Sequence, residues 1–193
     1  MEKRFPCVAG TFYPAEKEKL KNIIEGFLNE ISLPQIKGKI FGILSPHAGY
    51  IYSGKVAACS FKSIALRKIE RVILIGVSHQ KIFEGISLWK KGSWITPLGE
   101  VLVDERFKEL VDEKIEVDML SHSNEYCIEI FLPILQHLFG NDIKIIPFLV
   151  KDENSVEDLL EVAERVGNFL KKNEDFKLIT TFNLFKGINC ISD

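Results

Sequence analysis

Long hydrophobic runs are absent from this sequence. No apolar stretch approaches the roughly 18 residues that a membrane-spanning helix needs, and no apolar stretch of the kind found in a signal peptide follows the charged N-terminus, MEKRFPCVAG. An excess of basic residues is also absent, since 25 Lys and Arg side chains stand against 27 Asp and Glu side chains. We therefore expect a cytoplasmic protein that binds neither a membrane nor nucleic acid.

Paired cysteines and the common enzyme motifs are missing as well. The chain has four cysteines and no CxxC pair, so we expect reduced thiols. It also lacks the P-loop, GxGxxG, HExxH and GxSxG motifs of ATPases, dinucleotide-binding enzymes, zinc peptidases and α/β-hydrolases. The remaining features, 46% hydrophobic and 27% charged residues in 193, are typical of a single globular domain. A balance rich in Lys and Glu also occurs in proteins of thermophiles.

Short apolar runs alternate with amphipathic stretches along the chain. Helical spacing predicts helices over residues 15–31, 107–114, 125–139 and 156–170. A further helix of about 14 residues is predicted to begin at Ser53, which is a plausible N-cap. Pro133 is expected either to kink the helix 125–139 or to open a new segment. Apolar runs predict strands over residues 40–44, 72–77, 143–150 and 176–180, and an antiparallel pair of 86–89 with 100–103. The first of these strands is expected to be buried on both faces, and Pro147 to lie near an edge or bulge. This order predicts an α/β fold with a mostly parallel sheet.

Two histidines follow two of the predicted strands. His47 comes shortly after the first strand, and His79 shortly after the second, 32 residues later. In open α/β sheets ligands bind beyond the carboxyl ends of the strands, so both imidazoles are expected at one edge if the strands are parallel neighbours. Two imidazoles in one crevice suit a transition metal or acid–base chemistry. Alternatively, each histidine caps a helix or bonds to a loop carbonyl.

Further polar residues lie near these positions. Tyr50 and Tyr52 follow His47 in an irregular turn and are candidates for lining a ligand pocket, or are simply packed side chains. His122 and Glu125 are spaced so that they can share a helix face, where they would orient a ligand or supply a proton. The alternative for this segment is a helix N-terminus with a serine cap and a favourable glutamate.

The motifs AGTFYP, SPHAGYIYSG, ILIGVSH, TPLGEVLVD and SHSNEYCIEIFLPILQ occur in this order. Together they resemble the Memo family, which is similar in fold to the class III extradiol dioxygenases. The resemblance implies a sheet flanked by helices on both sides, and a site at one sheet edge lined by His47 and His79. It also implies a third histidine at His122, followed by Glu125. An animal member is described as a cell-motility mediator that binds a redox-active metal, and microbial members usually neighbour a radical-SAM gene.

The chain also departs from the family pattern. Tyr126 stands where the family has a histidine, and Phe182 and Phe185 occupy the positions of a later aspartate and histidine. The match ends at Thr181, so we expect one domain over residues 1–193 that lacks the family's C-terminal third, as a frameshift or premature stop would produce. Such a chain is expected to leave a sheet edge or apolar face uncovered, which favours a homodimer.

These departures favour a binding or scaffold protein on a dioxygenase-like fold. Its vestigial, His-lined cleft would take a small molecule or a peptide without turnover. The alternative is a metal-dependent redox or dioxygenase-like enzyme in which His47 and His79 hold a single Fe, Cu or Zn ion and His122 acts as acid or base. An accessory role in a pathway linked to a radical-SAM protein is the third hypothesis.

Overall fold

The computed structural model describes residues 2–79, 86–111, 115–151 and 156–182. The strands in these ranges are β1 (Lys3–Arg4), β2 (Gly42–Pro46), β3 (Arg71–Ser78), β4 (Ile86–Leu88), β5 (Ser93–Thr96), β6 (Gly99–Val103), β7 (Ile115–Glu116), β8 (Lys144–Lys151) and β9 (Phe176–Phe182). The α-helices are α1 (Lys17–Glu30), α2 (Lys55–Lys62), α3 (Leu120–Ser123), α4 (Leu132–Phe139) and α5 (Val156–Lys172). None of the helices described in these ranges is both long and apolar enough to cross a membrane.

All nine described strands belong to one sheet. Its main path runs β1-β5-β6-β8-β3-β9-β2, while β4 pairs with β8 and β7 pairs with β4. The strands from β6 to β2 on this path are parallel to their neighbours, and β5 and β4 run antiparallel to β6 and β8. The predicted α/β fold with a mostly parallel sheet is therefore confirmed.

Helices cover both faces of this sheet, as the family resemblance implied. On one face, α1, α2 and α4 bury side chains such as Leu20, Phe61 and Leu132 in the larger core. On the other face, α5 contributes Val162, Val166 and Phe169 to a second core. Buried positions in α1 recur four residues apart, which places one apolar stripe against the sheet.

The predicted antiparallel pair is wrong in its partners. Strand β4 pairs with β8, and β6 pairs with β5. The sequence pattern missed β5 as a separate strand because only the residues 97–98 separate it from β6. A turn this short joins two strands directly, so the hairpin forms locally and β4 is left to pair with a distant strand.

Two predictions about burial in the sheet are also wrong. Strand β2 ends the described sheet, and Leu44 is 56% exposed, so this strand is not buried on both faces. Pro147 lies in a central strand between β3 and the pair β6 and β4. The Pro147 carbonyl accepts a hydrogen bond from the Trp89 N–H. The backbone nitrogen of Pro147 therefore also faces the side of β8 on which β6 and β4 lie. There the register of β6 ends opposite Ile145 and that of β4 begins opposite Phe148. Pro147, which has no backbone N–H, therefore lies at the point where β6 stops pairing with β8 and β4 begins, so no hydrogen bond between strands is lost there.

Three predicted helices differ in detail. Ser53 is not an N-cap, since it lies inside a π-helical turn (Tyr50–Gly54) and its hydroxyl donates to the Ala48 carbonyl. The segment predicted over residues 107–114 overlaps a 3₁₀ turn, Glu105–Glu109, and residues 112–114 lie outside the described ranges. The long segment 125–139 opens irregularly, and Pro133 stands in the first turn of α4. Proline thus opens a new helix here, which is one of the two predicted outcomes.

Gly76 allows the segment 125–128 to pack directly on β3. A Cβ atom at Gly76 would overlap Cys127 Sγ and lie 2.8 Å from Ile128 Cγ1. We expect Gly76→Ala to lower the free energy of unfolding by about 1–3 kcal/mol through overpacking, as measured by urea denaturation.

The matched control is Gly26→Ala in α1, where an added Cβ meets nothing within 4 Å. This substitution is expected to raise the free energy of unfolding by roughly 0.5–1 kcal/mol, because alanine favours a helix interior over glycine. Equal stability of the two variants would show that the contact at Gly76 does not constrain this face.

Candidate metal centre

His47 and His79 converge at the carboxyl edge of the sheet. Each directly follows a strand, β2 for His47 and β3 for His79. The two strands are parallel but not neighbours, because β9 lies between them. The side chains nevertheless bridge this gap, and the two Nε2 atoms are 3.3 Å apart. His47 is buried and the His79 side chain is 19% exposed, so the pair lies just below the surface.

Glu125 holds His79 from the opposite side of the ring. Its Oε1 lies 3.0 Å from His79 Nδ1, and its Oε2 accepts from the His79 backbone N–H at 2.6 Å. The same carboxylate accepts from the backbone N–H groups of Tyr126 and Cys127 at 2.9 and 3.1 Å. A carboxylate that binds Nδ1–H leaves the Nε2 lone pair of the imidazole directed toward the other histidine.

The Glu125 carboxyl is ionised at neutral pH although it is buried. Burial by itself would raise its pKa, but the hydrogen bonds from the His79 side chain and backbone and from Cys127 N–H lower the pKa to about 2. The site therefore contains a fixed negative charge one imidazole away from the paired Nε2 atoms. A fixed negative charge at this position favours a cation at the paired Nε2 atoms.

Tyr126 forms an aromatic wall beside the histidine pair. Its ring stacks on His79 with centroids 4.8 Å apart and planes 13° apart. It meets His47 at 6.2 Å and Phe12 edge-on at 4.7 Å. Burial, followed by the Glu125 charge, raises the pKa of the Tyr126 phenol, so it is a neutral hydroxyl at physiological pH. Glu125 and Tyr126 are adjacent in the sequence. One short segment therefore contacts His79 twice, through the Glu125 carboxylate at Nδ1 and through the Tyr126 ring on the face of the imidazole.

The geometry of this pair fits a shared metal ion. Two imidazole nitrogens bound to one tetrahedral ion at about 2.0–2.1 Å lie roughly 3.3–3.4 Å from each other. The Nε2 separation of 3.3 Å agrees with that value. Two bare nitrogen lone pairs facing each other at this distance repel unless a proton or a cation lies between them. Imidazole is a good ligand for Fe, Cu and Zn alike. Within the ranges that the structure describes, no third His, Cys, Asp or Glu side chain completes the cluster.

Comparison with known proteins identifies the family. The model of the family described as "Memo-like protein" matches residues 4–184. The chain belongs to this Memo family. It is 38% identical to a MEMO1 family protein of Nitrosopumilus maritimus over 86% of this chain and 61% of that protein. A relative from Thermoplasma acidophilum is 35% identical over 90% of this chain and 63% of its own length. One from Thermotoga petrophila is 38% identical over 88% and 64%. The chain thus spans less than two thirds of the length of these relatives.

Glu125 contacts His79, but the three other predicted site residues of this Memo chain, Tyr50, Tyr52 and His122, lie apart from the pair. Tyr50 is buried in the core, where its hydroxyl donates to the Ile130 carbonyl, and Tyr52 is 78% exposed. His122 is fully buried and its Nε2 lies 3.1 Å from Ser87 Oγ. Its ring lies against Trp89 and Trp94, and neither His47 nor His79 is among these ring contacts.

The predicted pairing of His122 with Glu125 is therefore not the arrangement found. Helix α3 ends at Ser123, before Glu125, so the two side chains do not share a helix face. Burial lowers the pKa of His122 to about 3, and the nearby Arg4 charge adds to this effect. A neutral, enclosed imidazole of this kind packs and accepts or donates hydrogen bonds, but it does not take up protons near pH 7.

Sequence reasoning missed the structural part played by Tyr126, Arg4 and Glu129. In the sequence, Tyr126 is only a departure from the family pattern. Arg4 is 2% exposed and Glu129 is fully buried. One signal for such a pair is the position of Glu129 in the apolar run CIEIFL, because a charged side chain in such a run must find a partner. Phe185 lies outside the described residues, as does the side chain of Phe182.

Proposed function

We propose that this Memo-family chain binds a single transition-metal ion through His47 and His79 and acts as a metal-dependent redox protein. The observation that supports this most directly is the convergence of the two Nε2 atoms at 3.3 Å. The orientation of His79 by Glu125 supports it independently, because metal-binding histidines commonly donate their other N–H to a carboxylate.

The residues of the site divide the work as follows. His47 and His79 supply neutral imidazole nitrogens, which are ligands for Fe and Cu. Glu125 fixes the tautomer of His79 and partly balances the charge of a bound cation. When bound, Fe or Cu supplies one-electron chemistry and polarises an oxygen ligand. Beyond these two imidazoles, the ion has further coordination positions for water, a substrate or another ligand.

Burial favours a small ligand over a peptide. A peptide-binding cleft exposes its recognition residues along a groove, whereas His47 is 1% exposed and Tyr126 covers the face of His79. The substrate is therefore proposed to be a small molecule rather than a peptide. The binding or scaffold hypothesis remains as an outcome of the test, since it requires no metal.

The test is metal analysis of the full chain purified without a histidine tag. We expect close to one equivalent of Fe or Cu per chain after reconstitution, and loss of more than about 90% of it in His47→Ala, because a single remaining imidazole holds a divalent ion weakly. Elemental analysis and calorimetric titration measure both values.

The matched control is His137→Ala, which removes a half-buried histidine on α4. It should bind metal like the unmodified chain. If the unmodified chain binds no metal, or if His47→Ala binds as much as His137→Ala, the redox proposal is wrong and the scaffold hypothesis is preferred.

A further inference from the structure

Arg4 connects the N-terminal segment to the loop that carries Glu125. Its Nε donates to the His122 carbonyl at 2.8 Å, and one Nη donates to the Glu125 carbonyl at 2.6 Å. Its other Nη contacts Glu129 Oε2 at 2.6 Å. The guanidinium also lies 4.2 Å from the centroid of the Trp94 ring. The Arg4 side chain thus binds the loop at residues 122 and 125, and it also binds Glu129 at the start of the helical segment that follows.

Glu129 holds the N-terminal segment from the other direction. Its carboxylate accepts hydrogen bonds from the backbone N–H groups of Cys7 and Val8 at 2.9 and 3.2 Å. It also accepts from the Tyr13 hydroxyl at 2.6 Å. These bonds join residues that are more than 115 positions apart in the sequence. We call residues 4–13 the N-terminal strap.

The strap also reaches the loop that follows His47. The Phe12 carbonyl accepts the Tyr50 backbone N–H at 2.8 Å. The Phe12 ring packs edge-on against Tyr126, at 4.7 Å. A single short segment therefore contacts the loop after His47, the aromatic wall, and the loop whose carboxylate orients His79.

The energetics of the Arg4–Glu129 pair indicate a geometric function. Both side chains are almost completely buried, and removing two charges from water costs most of what their attraction returns. Apolar residues of the same size would avoid this cost, but they would leave the two carbonyls of His122 and Glu125 without these donors. Only the planar, five-donor guanidinium bonds two carbonyls and a carboxylate at once.

We propose that the strap is the positioning element of the metal centre and that Arg4 is its positioning residue. Arg4 fixes the loop 122–126, so that Glu125 meets His79 Nδ1 and Tyr126 meets its ring, while Phe12 fixes the loop after His47. Arg4 touches neither histidine side chain and acts through Glu125. The effect of Arg4 on metal affinity rests on the proposed function. Its effect on the orientation of His79 can be tested without metal, so the experiment has two arms.

The first arm compares metal affinity in the full chain. Arg4→Lys keeps the charge but loses the fork, and we expect it to weaken Cu or Fe binding about 10- to 100-fold, the range found when a partner of a metal-binding histidine is lost. The control is Arg71→Lys, which alters another arginine with several carboxylate partners, Asp104 and Asp175 among them, at the opposite edge of the sheet. Arg71→Lys should destabilise the chain without changing its metal affinity.

The second arm reads the His79 tautomer by ¹⁵N NMR of the metal-free chain. In the unmodified chain we expect a protonated Nδ1 and a bare Nε2, and in Arg4→Lys a mixture of both tautomers. Tyr13→Phe removes one hydrogen bond to Glu129 and should show a smaller shift in the same direction, which gives a reading if Arg4→Lys does not fold.

Unchanged His79 signals in folded Arg4→Lys, or in Tyr13→Phe if that variant alone folds, would overturn the positioning role. A tautomer change in these variants supports it, even if the unmodified chain proves to bind no metal. That second result would count against the proposed function alone. Equal losses of metal affinity in Arg4→Lys and Arg71→Lys would show that general destabilisation is responsible, and would also overturn the proposal.

Discussion

Replacing Glu129 by leucine is expected to destabilise this chain by about 3–5 kcal/mol, which is a large fraction of the stability of a domain this size. Burial alone would raise the pKa of Glu129, but the Arg4 charge and the hydrogen bonds from Cys7 N–H and Tyr13 keep it low. The residue is therefore a buried carboxylate. Without it, Arg4 becomes an unpaired buried charge, and the buried Val8 N–H and Tyr13 hydroxyl lose their acceptor, as does the Cys7 N–H. Urea denaturation of the metal-free chain measures the change.

Two controls separate this effect from the loss of any ion pair. Glu30→Gln removes an equally short pair with Lys55, at 2.6 Å, that is exposed on both sides. We expect it to leave the free energy of unfolding nearly unchanged, because exposed pairs contribute little. The double variant Arg4→Met, Glu129→Leu should recover part of the loss, since it no longer leaves a charge unpaired. If Glu129→Leu is as stable as Glu30→Gln, the buried Arg4–Glu129 network does not contribute to the free energy of unfolding.

The convergence of His47 and His79 was predictable from the sequence because it depends on strand order and direction alone. Both histidines follow apolar runs, and parallel strands end at the same edge of a sheet. The separating strand β9 was not visible in that argument. Its effect on the site is small, because β9 lies in the same sheet and adds only one strand spacing of about 5 Å between the histidine-bearing strands.

The remainder of the site could not be predicted because its contacts join distant positions. Glu125 lies 46 residues beyond His79, and Arg4 lies 125 residues before Glu129. No local pattern encodes such a pairing. The prediction that His122 and Glu125 share a helix face failed for a related reason. Local spacing describes a continuous helix, whereas α3 ends after four residues and the chain turns Glu125 toward β3.

Among the secondary-structure predictions, the most accurate depend on local sequence alone, whereas two that depend on distant pairing were wrong. The amphipathic helices α1 and α5 were predicted within two residues at each end, because their apolar stripes are intrinsic to the segment. The pairing of β4 was wrong because a three-residue strand carries little information about its partner. The exposure of β2 was missed for a similar reason. An apolar run does not reveal whether a further strand lies beside it.

The placement of His122 leads to a prediction about acid stability. Because its pKa in the folded chain is lowered to about 3, the unfolded chain binds a proton at this residue that the folded chain does not bind. Above the ordinary histidine pKa of roughly 6.5 the residue has no effect on stability. As the pH falls below that value, the unfolded state is favoured, and the loss continues until the pH reaches the folded-state pKa. Within this window we expect a loss of about 1 kcal/mol per pH unit.

His122→Gln tests this prediction, because glutamine can bond to Ser87 but does not titrate. The variant is expected to be less stable than the unmodified chain at pH 7, since glutamine fills the pocket between Trp89 and Trp94 poorly. The difference should shrink as the pH is lowered from 6.5 to 4.5. Glu125, whose depressed pKa costs stability only as the pH falls from about 4.5 toward 2, contributes little in this range. Parallel stability curves for the two chains between pH 6.5 and 4.5 would mean that His122 takes up its proton in the folded state. Its enclosure among the tryptophans would then have to open more readily than its burial indicates.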